Sequence, residues 1–413
     1  MSAGSGDRRL TIVALNKFHH ATGGADTLFR KLNGALRARG HRVIEFSTSH
    51  PGNWPADPQA VFVWGLDASA AEHAGIVELG RAFLHGVWNH EAARAMAKLL
   101  ARLRPDVIHV HNLFYQLSHS LLRVPLRMGI PVVLTLHDYH PVCASNYLYT
   151  HGRICEDCKQ GIHKILVNRC FHDRLAPSAM AFLSMALRSR PGAYLDRVAH
   201  VVSPSRFLVE KVREFGVRLP AVTVLPVFYE PPPAATLSPP REDVVYLGQL
   251  LPQKGVNELL ALAARTTHTV VFAGAGPLQR AVEEAARRLP NVRYDGFVTG
   301  PDLERVISGA RCIVVPSLWY ENAPAVILDA YARGRPVVAS RIGGIPEIVE
   351  HEVTGLLVEP GNVEDLEAAV NRLETALPAA VAMGSAGRRR LAERHSVSAY
   401  LDATERIYRQ ALA

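Results

Sequence analysis

Short apolar runs alternate with helical patterns along nearly the whole chain, and that alternation leaves few folds open. In residues 1–228 the runs are Leu10–Leu15, Val43–Ser47, Val107–Val110, Val132–Leu136, His200–Ser203 and Val222–Leu225. Beyond them come Val244–Leu247, Thr269–Ala273, Val292–Tyr294, Cys312–Val315, Pro336–Ala339 and Leu356–Val358. Continuous Val/Ile/Leu runs are strands buried on both faces, and helical stretches between them are the crossovers that parallel strands require. The expectation is therefore α/β, with two parallel-sheet domains. A chain of 413 residues is also too long for one ordinary core. Tyr229-Glu-Pro-Pro-Pro-Ala-Ala-Thr-Leu-Ser-Pro-Pro240 suits neither helix nor central strand and reads as a linker. This divides the chain into 1–228, a linker at 229–240, and 241–395. The amphipathic helix 396–413, with Tyr400, Leu401, Ile407 and Tyr408 on its apolar side, completes it. A cleft facing the carboxyl ends of two such sheets is where a ligand should bind.

Charge is unevenly placed. Residues 1–228 hold 27 Lys+Arg against 16 Asp+Glu, a net +11, and the remainder holds 19 against 22, a net −3. A basic half suits a phosphate-bearing substrate, an anionic membrane surface or plain solvation. No Arg-rich tail, RNA-binding aromatic signature or zinc-finger spacing with paired histidines is present, which argues against nucleic acid. The start, MSAGSGDRRLTIVAL, reads as a first strand and not a signal peptide, and no run approaches the roughly 18 apolar residues of a membrane span. A cytoplasmic protein is expected. Ala179–Leu187, apolar and followed by Arg188 and Arg190, is either a buried helix or a lip against the inner face of a membrane.

The segment Pro316-Ser-Leu-Trp-Tyr-Glu-Asn-Ala-Pro-Ala-Val-Ile-Leu-Asp carries the most chemistry. Pro324 sits where a helix should begin, Glu321 stands just before it, and Asp329 lies eight residues on, about two turns later on the same side. A helix start offers free N–H groups to an anion. Carboxylates beside such a start suit a ligand with both hydroxyls and phosphates, such as a nucleotide sugar. Lys254 precedes another helix start, where a positive charge is unfavourable unless an anion lies between. Gly23-Gly24 and Gly274-Ala-Gly276 each sit between a strand and a helix, serving either a tight turn or close approach to an anion. His137 lies just past the end of a strand on the cleft side.

Cys143, Cys155, Cys158 and Cys170 form C-x11-C-x2-C-x11-C, a spacing that suits a structural tetrahedral zinc. Disulfides and idle thiols are the other readings. Four thiolates would leave no open position on the metal, so it would take no part in catalysis.

Taken together these residues resemble the retaining glycosyltransferases of the GT-B fold, specifically the large family 4 of nucleotide-sugar transferases. The resemblance covers nearly the whole chain and is most specific at Glu321-x7-Asp329, Gly343-Gly-Ile-Pro-Glu347 and Thr354-Gly-Leu356. It implies two Rossmann-like domains facing a cleft, with the terminal helix crossing back onto the first. It also implies that Glu321 binds the donor sugar, Asp329 the ribose, and the backbone of Asn322, Ala323 and Ala325 the diphosphate. Lys254 would be the phosphate lysine, Gly24 part of the amino-terminal glycine loop, and His137 a neighbour of the sugar. The second acid is Asp where the family has Glu, and Gln249 stands where the family usually has Arg, so Lys254, Arg206 or another cation has to compensate. The implied reaction is transfer of a sugar, with retention, from a nucleoside diphosphate to a hydroxyl acceptor, without a catalytic metal. A nucleotide-sugar epimerase or hydrolase of the same fold, or a non-catalytic sugar-nucleotide binder, are the alternatives.

Overall fold

The computed structural model describes residues 8–66, 74–190, 195–231 and 243–413. The first sheet has seven strands: β1 (Thr11–Leu15), β2 (Arg42–Thr48), β3 (Val61–Val63), β4 (Val107–Val110), β5 (Val132–Thr135), β8 (His200–Ser203) and β9 (Ala221–Val224). Their order is β3-β2-β1-β4-β5-β8-β9, every pairing parallel. Between β5 and β8 a small antiparallel hairpin forms from β6 (Tyr149–Thr150) and β7 (Arg153–Ile154). The second sheet has six strands: β10 (Asp243–Leu247), β11 (Val270–Ala273), β12 (Val292–Gly296), β13 (Ala310–Val315), β14 (Val337–Ser340) and β15 (Gly355–Val358). It runs β12-β11-β10-β13-β14-β15, again wholly parallel.

The apolar runs are strands because helices cover both faces: β4, β5, β13, β14 and β15 are buried at every position. The order within each sheet reverses direction beside β1 and β10, so both switch points open at carboxyl ends that carry the glycine and lysine loops. Strand β3 and the hairpin lie outside the sequence expectation. β3 is a three-residue edge strand, too short to leave a periodic signal. Of the expected linker 229–240, residues 232–240 lie outside the described residues.

The helix Val397–Leu412 buries Tyr400, Leu401, Ile407 and Tyr408 against Ile12, Phe29, Val107 and Val133 of the first domain. Tyr408 Oη and His109 Nδ1 are 2.7 Å apart, and His41 Nε2 lies 3.2 Å from Glu405 Oε1. The chain crosses between domains at Val227–Tyr229 and again at His395, and the crossings are tied together. Tyr229 N–H donates to the His395 carbonyl at 2.9 Å, and His395 Nδ1 lies 2.6 Å from the Val227 carbonyl. In the helix Leu175–Arg188, Met180, Ala181 and Met185 are buried in a small core with Tyr115 and Ile165, while Leu183 is exposed. Among the described residues no helix is long and apolar enough to cross a membrane.

Tyr408→Phe keeps the packing and removes the hydroxyl that meets His109. Leaving a buried ring nitrogen unpaired should cost about 1–3 kcal/mol, read as an earlier midpoint in urea unfolding followed by circular dichroism.

Candidate functional site

β13 runs into the loop 316–324, which delivers Glu321 into the cleft. Glu321 is 5% exposed, and a carboxylate so buried requires donors. Its Oε1 accepts from Lys254 Nζ at 2.6 Å, Ser317 Oγ at 2.9 Å and Trp319 Nε1 at 2.9 Å. Lys254 Nζ also lies 4.9 Å from the centre of the Trp319 ring.

Gly255 makes the lysine's position reachable. Its φ is +77°, and a Cβ there would fall 1.9 Å from the Pro316 carbonyl oxygen, so only glycine lets the turn after Lys254 pack on that loop. The Gln253 carbonyl then accepts from Leu318 N–H at 2.9 Å. Gly274 works the same way: at φ +152° its Cβ would lie 1.8 Å from the Gly248 carbonyl oxygen. This seats the Gly274–Gly276 loop against the loop of Gln249, whose side chain is exposed and whose carbonyl accepts from Tyr246 Oη at 2.6 Å. Gly344 N–H donates to the Glu321 carbonyl at 2.6 Å, which fixes the other side of the acid's backbone.

The first domain supplies the opposite wall. Asn322 Nδ2 donates to the His137 carbonyl at 2.9 Å, and His137 Nε2 lies 2.9 Å from His111 Nδ1. Glu347 accepts from the N–H groups of Arg206 and Phe207 at 2.9 and 2.8 Å, capping from the second domain a helix, Arg206–Glu214, that belongs to the first. The Arg206 side chain is exposed and has no partner among the described residues. Gly23 and Gly24 are also exposed at the start of the helix Gly24–Ala38, with open space around a Cβ at either, so packing does not demand them.

The structure thus brings Glu321, Lys254, Asn322 and His137 together, with Ala323 packed behind and Ala325 exposed at the start of the helix Ala325–Ala332. Asp329 belongs to a separate network. Its Oδ1 accepts from Tyr229 Oη at 2.6 Å and lies 3.5 Å from Arg333 Nη1, whose guanidinium also pairs with Glu304. Ser317, Trp319, His111 and Tyr229 were not singled out as site residues from the sequence, and Glu347 was named only as part of a motif, without its role as a cap. The first two lie inside the loop that was, but nothing in their spacing shows which way they turn.

The four cysteines are free thiols, and Cys143 and Cys155 lie near enough to act electrostatically on both Cys158 and Cys170. Burial, then the other cysteines' charge, pushes Cys158 and Cys170 up to about 12. Among the described residues no three His, Cys, Asp or Glu side chains are gathered as a metal ion requires.

Two family models match the chain: glycosyltransferase family 4 over residues 22–230 and glycosyl transferases group 1 over 241–375. The chain belongs to glycosyltransferase family 4 and is a glycosyltransferase of the GT-B fold. It is 35% identical over 325 residues to the α-maltose-1-phosphate synthase of Mycolicibacterium smegmatis, covering 74% of this chain and 79% of that protein. It is 34% identical over 137 residues to an uncharacterised glycosyltransferase of Methanocaldococcus jannaschii, covering 32% of this chain but only 35% of that protein's length. Among solved structures, a sucrose-phosphate synthase from Thermosynechococcus elongatus superposes with a TM-score of 0.70 at 20% identity, over 97% of this chain and 99% of that one. An Anabaena protein in complex with UDP-glucose superposes at 0.65 and 17% identity, over 96% and 99%.

Burial depresses the imidazoles behind the cleft: His109 to about 3, and His119 and His137 to about 4, from an ordinary 6.5. In that interval the unfolded chain binds more protons than the folded one, so stability should fall as pH drops from about 6.5 toward 4. Asp138, raised by burial from 3.8 to about 6, acts in the opposite sense. Three imidazoles outweigh one carboxyl. The melting temperature should therefore decline between pH 7 and pH 5, and a flat or rising profile would contradict this balance.

Proposed function

We propose that this chain transfers a sugar from a nucleoside diphosphate sugar to a hydroxyl acceptor, with retention at the anomeric carbon. The Lys254–Glu321 pair carries the reading, its acid on the loop that Asn322 ties to the His137 carbonyl and that leads into the helix Ala325–Ala332. A pyrophosphate drawn to that start and to Lys254 would take over the ammonium, freeing Glu321 Oε1 for sugar hydroxyls. The anomeric C–O bond breaks with its electron pair passing to the phosphate oxygen. The acceptor oxygen bonds to the same face, and its proton passes to the departing phosphate. Charge stabilisation and positioning do the catalytic work, and no metal is assigned a role in it.

Asp329 is the ribose ligand in this reading, with the diol replacing the Tyr229 hydroxyl as donor. Gln249 leaves Lys254, with Arg206 across the cleft, as the principal phosphate cations. The UDP-glucose complex of the Anabaena neighbour makes UDP-sugars the first donors to try. A thermal-shift screen of UDP, GDP, ADP and dTDP sugars should raise the melting temperature for at least one at millimolar concentration. Product analysis with and without acceptor then separates transfer from hydrolysis or epimerisation. Glu321→Gln should lower turnover about 10²–10³-fold with nucleotide binding retained. Lys254→Ala should nearly abolish donor binding, and unchanged nucleotide affinity in that variant would sink the phosphate assignment.

Zinc at the cysteine quartet remains part of the proposal: the C-x11-C-x2-C-x11-C spacing suits it, and a bound metal would hold the sulfurs as thiolates and draw them together. Elemental analysis should find about one equivalent per chain. A metal-free protein with four freely titrating thiols would end that idea.

A further inference from the structure

Tyr320 immediately precedes Glu321, yet its side chain lies in a socket made by the first domain. It packs against the cores of both domains. Its ring centre is 5.0 Å from that of Phe207 and 6.2 Å from that of Tyr139. Lys211 Nζ sits 4.9 Å from the same centre, and the Tyr320 hydroxyl donates to Glu156 Oε1 at 3.1 Å. Glu156 is itself held, with Lys211 Nζ at 2.9 Å on Oε1 and Lys159 Nζ at 2.6 Å on Oε2. It sits within Cys155-Glu-Asp-Cys158, where Asn168 Nδ2 grips the neighbouring Asp157 at 2.8 Å.

The cysteine-bearing insert therefore touches the donor loop at two points, the Tyr147 ring against Trp319 at 5.1 Å and Glu156 on the Tyr320 hydroxyl, the latter next to the residue that would bind the sugar. We propose that Glu156 is a positioning residue for glycosyl transfer: by holding Tyr320 in its socket it keeps Glu321 and the loop 316–324 closed against the first domain. This rests on the transferase reading above. Its physical basis is that a tyrosine ring loses little conformational freedom when docked. Its hydroxyl then sets the depth of insertion against a carboxylate already anchored by two lysines.

The test uses the full chain with Tyr320→Phe, Glu156→Ala and the double variant. Amide hydrogen exchange in 317–324 should speed up in each single variant, and turnover should fall about tenfold with donor KM little changed. The double variant should be no worse than the worse single one, since both remove the same contact. Unaltered exchange in either single variant overturns the proposal, and so does faster exchange with unchanged turnover. If wild type transfers no sugar from any donor, the functional reading fails. The exchange comparison would still decide whether Glu156 holds the loop.

Discussion

A buried carboxylate organises this molecule. Glu321 is out of water, and an ionised acid there persists only with donors arranged around it. Three donors meet on one oxygen: Lys254 from the loop after β10, and Ser317 and Trp319 from the loop after β13. These are neighbouring strands at the switch point of the second sheet. The ion pair therefore fixes both loops relative to each other before any ligand arrives. An anion with hydroxyls could replace each half of the pair with a matching group, so the site is pre-assembled without being idle.

The same loop joins the domains. Asn322 reaches the His137 carbonyl, Tyr320 enters the first domain, and Glu347 caps a helix of the opposite domain. Polar tethers of this kind cost little to exchange with water one at a time, unlike an apolar interface. They suit a cleft that closes on one ligand and must open for another. The paired crossings at Val227–Tyr229 and His395 hold the hinge side together meanwhile.

Much of the site was legible because the fold class is written in local pattern. Once apolar runs and helix starts are placed, carboxyl ends of strands converge, and polar residues there, Glu321, Lys254 and His137, become candidates. Asp329 shows the limit. Its spacing from Glu321 puts it on the helix, but its carboxylate is taken by Tyr229 and Arg333, residues from outside the motif. The cysteine quartet shows another: spacing along the chain suggests a metal, but it does not fix how four side chains on a loop are turned toward one another.

By itself the sequence determined two parallel sheets, an amphipathic terminal helix, and glycines between strand and helix at Gly23-Gly24 and Gly274-Ala-Gly276. Those follow from periodicity and backbone sterics, which act over a few residues. Tertiary structure alone decided the partners. Tyr320 turns to the first domain rather than to its neighbour Glu321, and Glu156 receives it from a loop 164 positions away. His109 is matched to Tyr408 across 299. Contacts over such separations depend on how two sheets and their covering helices pack, and no local pattern along the chain encodes them.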